Sequence, residues 1–340
     1  MTEYKEIHGT KVQNFSSDPS NPIEGQVWYN TTSNTLKIRV QELVADAWAT
    51  GGNLNTARSF IGSAIGGTQN ASLGFAGASP PTSAVTESYN GSSWTEVNDL
   101  NTSKEALAGA GNQTAALAFG GNADPSPNPQ VDTESWNGSS WTEVNNMSTG
   151  RRFLGGAGTQ TAALAFAGAG APANPNYLAV TESWNGTSWT EVNDLNTSRQ
   201  RPAGIGTSNT QALCVGGFKD PGTVPSGKEA LTESWNGTSW TEVADLNSAR
   251  HDPGGSGTDT AGLVFGGDVI APGVGGVTES WNGSSWTEVA DLSTARSGVG
   301  GSGTNTLALA FGGGTPTITA ATEEFTGAGT SPVTKTIDTD

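Results

Sequence analysis

Thr181-Glu-Ser-Trp184-Asn185-Gly186-Thr-Ser-Trp189-Thr-Glu-Val192 decides how this chain is read, because close copies of it recur at a near-constant interval. Its second tryptophan has counterparts at Trp94, Trp141, Trp240 and Trp286, and a diverged copy over Ala47 to Leu54 supplies Trp48. Successive tryptophans are 46, 47, 48, 51 and 46 residues apart. A period of about 40–50 residues marks a repeat architecture, in which each unit buries its apolar face only against its neighbours.

Each copy carries more of the pattern. Six residues after the tryptophan stands Leu54, Leu100, Met147, Leu195, Leu246 or Leu292. Four residues further on comes a basic side chain: Arg58, Lys104, Arg151, Arg199, Arg250 or Arg296. A Gly/Ala-rich stretch follows, then an apolar run ending in a small pair such as Ala76-Gly77, Gly120-Gly121 or Gly312-Gly313. Each unit reads as four short strands. Strand a follows the basic residue, as at Gly204-Ile205-Gly206, and strand b is the apolar run, as at Ala115 to Phe119. Strand c is Val180 to Trp184 and strand d is Trp189 to Val192. Small inner strands suit the crowded centre of a ring. The Asn-Gly between c and d, as at Asn137-Gly138 and Asn185-Gly186, predicts a tight hairpin with both residues at positive φ. Its flanking aromatics then face each other, adding about 0.5–1.5 kcal/mol per pair beyond the area they bury. Four strands per period predict an all-β propeller.

The small-residue pair, the aromatic ending strand c, the Trp opening strand d and the Arg soon after resemble the kelch repeat over residues 45–327. The two aromatics stand closer together here than in most kelch repeats. The resemblance implies a six-bladed kelch-like propeller. Six b and six c strands can be counted, the last c being Thr322-Glu-Glu-Phe325, but only five full d strands follow them. Ala47 to Leu54 has the spacing to supply the sixth and close the ring, removing exposed edges. The tail, 328–340, holds a competitor in Pro332 to Ile337.

Composition narrows the function. Apolar residues are 34 % of the 340, below the usual figure of about 45–50 %, so tryptophan and small residues must fill the core in place of aliphatics. The net charge of −17 disfavours nucleic acid and anionic membrane as partners. No run approaches the roughly 20 apolar residues of a membrane span. The start of the chain lacks the apolar segment of a secretory signal. Cys214 lies within an apolar run (Ala212 to Val215) and reads as a buried small hydrophobe, with no basic setting to activate it.

Residues 1–44 lie outside the repeat. Gln26 to Tyr29 and Thr35 to Arg39 read as a hairpin, with Val27, Trp28, Tyr29, Leu36 and Ile38 as candidate docking residues. An isolated hairpin is marginal in water, so this one needs something to pack on. Asp18-Pro-Ser-Asn-Pro-Ile-Glu-Gly-Gln-Val-Trp-Tyr-Asn30 resembles N-terminal segments of tailed-bacteriophage virion structural proteins. That resemblance implies an arm that docks on other virion proteins, in several copies; the alternative is a capping hairpin.

Several constellations invite a chemical reading. The six basic residues, with Glu87, Glu134, Glu182, Glu233, Glu279 and Glu323 in the c strands, read as structural ion pairs or as a basic collar at the pore mouth that grips an anion or acidic glycan. Glu87 and Glu96 face each other across a hairpin as glycosidase carboxylates do. Every full repeat has the same pair, whereas an active site is unique. Ser183 to Trp189 is a shortened look-alike of the sialidase-type turn. A copper site would need His and Tyr, and only His8 and His251 exist, far apart in sequence. No catalytic, metal or cofactor site is expected. Recognition is expected instead where the repeat breaks, in the b–c loops, which carry Tyr177, Phe218, Lys219, Lys228 and Ile270.

The sequence therefore predicts a non-enzymatic virion protein (tail, fibre or decoration) that presents a propeller to a host-surface glycan or protein, or to another virion protein. A carbohydrate-binding or carbohydrate-active propeller is the second expectation, and a cellular kelch adaptor the third.

Overall fold

A computed structural model describes residues 12–124, 128–171, 177–219, 227–269, 273–314 and 316–337. The chain forms two compact units: Ala47–Gly327, and the two chain ends, Met1–Asp46 with Ala328–Asp340.

The larger unit is a β-propeller. Among the described residues it holds six four-stranded antiparallel sheets. The first comprises Gly62–Ser63, Ser72–Ala78, Thr82–Tyr89 and Trp94–Val97, in chain order as strands a to d. The second is Ala108–Asn112, Ala115–Phe119, Thr133–Trp136 and Trp141–Val144. Then come Gly155–Thr159, Ala162–Phe166, Thr181–Trp184 and Trp189–Val192. The fourth is Ala203–Ile205, Ala212–Phe218, Lys228–Trp235 and Trp240–Glu242. The fifth is Gly254–Gly257, Gly262–Phe265, Thr278–Trp281 and Trp286–Val289. In the sixth, Gly300–Gly303, Leu307–Phe311 and Thr322–Thr326 take their outer strand from Ala47–Thr50, with Phe325 paired to Trp48. The a strands touch one another in a closed cycle, from the first sheet through the sixth and back to the first. They run so close that a β-carbon on Gly204 would lie 2.1 Å from the carbonyl oxygen of Gly156, which is why glycine stands there.

Hydrogen bonds close the same circle. Each d-strand tryptophan donates its indole N–H to a c-strand threonine of the preceding sheet: Trp94 to Thr322, Trp141 to Thr86, Trp189 to Thr133, Trp240 to Thr181, Trp286 to Thr232 and Trp48 to Thr278, at 3.0–3.2 Å. A phenylalanine from strand b of that preceding sheet packs on the same indole, as Phe75 does on Trp141 and Phe265 on Trp48, with ring centroids 5.0 and 5.1 Å apart. In the fourth sheet Val215 takes the phenylalanine's place beside Trp286. Indoles bridging every sheet boundary do the work for which this composition has too little leucine and isoleucine.

The basic residue of each linker is fully buried and paired with the c-strand glutamate. Arg58–Glu87, Arg151–Glu182, Arg199–Glu233, Arg250–Glu279 and Arg296–Glu323 lie at 2.5–3.0 Å. Each arginine also donates to main-chain carbonyls, as Arg296 does to Ala321 at 2.6 Å. Each glutamate accepts from linker amides; Glu182 takes the N–H of Ser148 at 2.7 Å and of Thr149 at 3.3 Å. Lys104 departs from the pattern. Its ammonium stands 3.7 Å from Glu134, and neither Lys104 Nζ nor Glu134 Oε1 has a hydrogen-bond partner.

The c–d turn differs from the expected form. The Asn is not at positive φ; only the Gly is, as at Gly138 (φ 93°) and Gly186 (φ 91°). The loop is four residues long, closed by the facing pair Trp136 and Trp141 or Trp184 and Trp189. The Asn137 side chain accepts the N–H of Ser139 and of Ser140, both at 2.9 Å, so its amide oxygen replaces the second bend. The facing rings do pack, with centroids 5.0–5.4 Å apart in the first five sheets.

The smaller unit is one sheet, ordered Gln13–Phe15, Val27–Asn30, Thr35–Val44 and Gly329–Ile337. The tail thus pairs with Thr35–Val44 along its length and not with the ring. Asp18 organises the near end. It accepts from the Trp28 indole at 3.1 Å, Asn30 at 2.8 Å and Lys37 at 2.7 Å. Those three bonds, Lys37 first, hold its carboxyl down at about 2.

Two outcomes are expected from these contacts. Lys104→Arg supplies the missing fork at the one defective linker and should raise Tm by about 2–4 °C, or about 1 kcal/mol, in calorimetry; a lower Tm contradicts the account. Because the Asp18 carboxyl is depressed in the folded unit, its contribution is present above its ordinary value of about 4 and lost as pH falls through about 2. The Trp28 indole N–H resonance should therefore move with a midpoint near 2, and Asp18→Asn should abolish that step; a midpoint near 4 would show the carboxylate unengaged.

Candidate functional site

The linkers carry each chain segment from the rim of one sheet to strand a of the next, past the mouth of the central channel. The last residues of each linker follow the buried base at fixed offsets and form three concentric rings. One residue on stand Ser59, Glu105, Arg152, Gln200, His251 and Ser297. Each of these pairs with the last residue of strand b or the chain just beyond it, as Gln200 does with Phe218, Arg152 with Ala169 and His251 with Asp268. Three residues on come Ile61, Leu107, Leu154, Pro202, Pro253 and Val299, an apolar collar lining the channel, whose cavity is about 90 Å³.

Between them lies the ring that sets the site. Phe60, Ala106, Phe153, Arg201, Asp252 and Gly298 all have positive φ, between 51° and 65°. Each donates its N–H to the carbonyl of the corresponding residue in the preceding linker, and Phe60 donates to Gly298, at 2.7–3.1 Å. Six main-chain bonds therefore encircle the mouth. A left-handed backbone favours glycine, and a residue with a β-carbon costs of order 1 kcal/mol there. Five of the six positions nonetheless carry one. The mouth above the collar is a cup of about 80 Å³, walled by Phe60, Phe153, Arg201 and Asp252.

The side chains of the cup interlock. Arg201 donates to Asp252 at 2.5 Å, and its guanidinium carbon sits 3.8 Å from the Phe153 ring centre. Phe153 meets Phe60 edge-on at 5.4 Å. His251 Nδ1 faces the same Asp252 oxygen at 2.9 Å, and its Nε2 lies 3.4 Å from Asp268. Arg152 leans over Phe153 at 5.4 Å and is lowered from the ordinary guanidinium range by burial, then by the like charge of Arg201.

The loop residues expected to recognise a partner divide. Tyr177, Phe218 and Lys228 join this cluster from the outside. Tyr177 lies 6.2 Å from Phe218, Phe218 packs edge-on against His251 at 5.2 Å, and Lys228 donates to Asp268 at 2.6 Å. Lys219 turns aside to Glu229 at 3.1 Å, and Ile270 lies outside the described residues. Phe218 and Lys228 are strand residues and not loop residues, because pairing resumes past a bulge at Gly216 and extends strands b and c. Ser72–Ala78 and Thr82–Tyr89 extend in the same way.

Other candidates find structural places. The six basic residues are no collar: Arg58, Lys104, Arg151, Arg199, Arg250 and Arg296 are all 0 % exposed and face glutamate. Their carboxylate partners, Glu87 included, are occupied in the same pairs, which leaves Glu96 alone on the outer strand. The Cys214 thiol is pushed up to about 12 by burial and is inert. Trp28 is 0 % exposed, its indole bonded to Asp18, while Val27, Tyr29, Leu36 and Ile38 are half-buried. Among the described residues, no three His, Cys, Asp or Glu side chains converge as a metal site requires. Among the described residues, no helix is long and apolar enough to cross a membrane. Asp252, Arg201 and the two phenylalanines escape a sequence reading because they share a backbone position and not a residue type.

No family model matches the chain, and no curated protein does. Among solved structures it is similar to one described as the structure of YjhT, over 83 % of this chain and 100 % of that one. The TM-score is 0.67 and the identity 11 %, a likeness of fold alone.

Proposed function

We propose that this is a non-enzymatic structural protein of a tailed-phage virion, a six-bladed kelch-like propeller that docks through its terminal unit and presents its ring to a partner. The arm is the observation that carries the reading. The run from Asp18 to Asn30, the part that resembles virion proteins, is a built element: Asp18 clasps Trp28 and Asn30, and the sheet is completed by the far end of the chain. Ile23, Leu43 and Val44 of this unit remain exposed, at 73 %, 90 % and 44 %, as apolar contacts for a neighbouring virion protein. The ring supports a binding role over a catalytic one, because its glutamates are spent on buried pairs repeated at every boundary. The partner of the ring is a host-surface glycan or protein, or a second virion protein, met by several copies of the chain.

A carbohydrate-binding propeller is the second reading. The cup favours it, with two phenylalanine rings beside an arginine and an aspartate at the one place where the repeat is broken most completely.

Because the last strand pairs with Thr35–Val44, the test must remove both ends. A chain trimmed to residues 47–327 should fold, with its indole signals intact, and fail to enter particles. Normal incorporation of the trimmed chain would sink the docking claim.

A further inference from the structure

Symmetry supplies the argument. At the positions that build the fold, the six repeats agree: Trp or its equivalent, base, glutamate and small pair recur. Two residues past the base the backbone still repeats, yet the side chains are Phe, Ala, Phe, Arg, Asp and Gly. Glycine would relax this backbone and is used freely elsewhere in the chain, including one position of this same ring. Retaining phenylalanine, arginine and aspartate in the left-handed region costs stability, and such strain persists where the side chains serve a site.

Chemistry then selects the ligand. Arg201 spends one terminal nitrogen on Asp252, and its other donors make no hydrogen bond among the described residues. Arg201 and His251 both meet the same oxygen of Asp252, Oδ2, and the ion pair with Arg201 offsets the charge of that carboxylate. Among the described residues Arg152, one residue before Phe153, has no carboxylate within ion-pair distance; Glu105 acts on it from further off and accepts from Asn122 at 3.4 Å. Two guanidiniums thus stand against the Phe153 ring, which with Arg201 walls a cup of about 80 Å³. The cup is small and open on one side, with room for a carboxylate and the remainder of a larger ligand left outside it. The flat rings of Phe60 and Phe153 offer the C–H face of a sugar a surface. The net charge of −17 repels a polyanion, and so favours a single acidic end over an acidic polymer.

We propose that the channel mouth binds a carboxylate-bearing saccharide end, a terminal uronic acid, with Arg152 and Arg201 holding the carboxylate and Phe60 and Phe153 the sugar face. This extends the binding role above to one face of the ring and is independent of the arm.

The test uses the full chain and fluorescent oligosaccharides ending in glucuronate, galacturonate or mannuronate, read by anisotropy. At least one acidic end should bind, its carboxyl-reduced counterpart at least tenfold more weakly. Arg152→Gln should lose at least tenfold with Tm unchanged, and Arg152→Lys should recover part of the loss. Equal binding of acidic and reduced ends, an unchanged Arg152→Gln, or no binding to any end would overturn the proposal. Free glucuronate or acetate binding as tightly as the oligosaccharide would reassign the site to small organic acids. A glutamate-rich peptide binding more tightly would reassign it to a protein. Any of these failures, with the trimmed chain still excluded from particles, leaves the docking role standing.

Discussion

A guanidinium buried beside a carboxylate is the interaction on which the rest of this structure depends. Each pair takes two charges out of water, and breaking one by removing a partner costs about 3–5 kcal/mol, because the other charge is left stranded. The pair is therefore weak as a source of net stability and strict as a constraint on position. Glu182 holds Arg151 at 3.0 Å and, with its remaining capacity, the amides of Ser148 and Thr149. One carboxylate thus fixes the turn, the base and strand c of the sheet that follows. Repeated at five boundaries, with Lys104 and Glu134 at the sixth, it brings each linker to the channel mouth in the same left-handed conformation. The cyclic hydrogen bonds of the mouth, and the strained backbone they hold, follow from that delivery.

The indoles work on the same boundaries further out. A Trp–Thr bond with a phenylalanine edge against the ring locks one sheet to the next, and Trp48 carries the lock across the join between the chain's two ends. A composition poor in aliphatics is no handicap when each boundary buries one large aromatic with its N–H satisfied. What the scaffold leaves open is the inner face of the linkers, where the backbone is settled and the side chain is free to vary. From Phe60 round to Gly298 the backbone repeats and the side chains do not.

Much of the scaffold is legible in the sequence, because its determinants are local or strictly periodic. Trp184 and Trp189 face each other across a turn of fixed length, and base and glutamate recur in step. The c–d turn departs from a two-residue bend because the residues after Asn-Gly are capped by the Asn side chain, as Ser139 and Ser140 are by Asn137. The tail's pairing with Thr35–Val44 was hidden by its alternation of Thr, Lys and Val, which specifies a strand but no partner. The clasp between Trp28 and Asp18 is not legible because Asp18 lies ten positions away in a Pro-rich stretch. The mouth escaped altogether. Arg201 and Asp252 are two residues past a base like their counterparts, but a reading that searches for shared residue types passes over positions where only the backbone is shared. The fixed offset was the available signal.

Hydrogen exchange in Glu182→Gln tests the central dependence most directly. If the carboxylate fixes the linker, the peptide from Met147 to Leu154 should lose protection, the mouth bond of Phe153 included. Strands Ala162–Phe166 and Thr181–Trp184 should keep theirs. Unchanged protection at Ser148, Thr149 and Phe153 would contradict the account, and would place the geometry of the mouth in the strands and not in the buried pair.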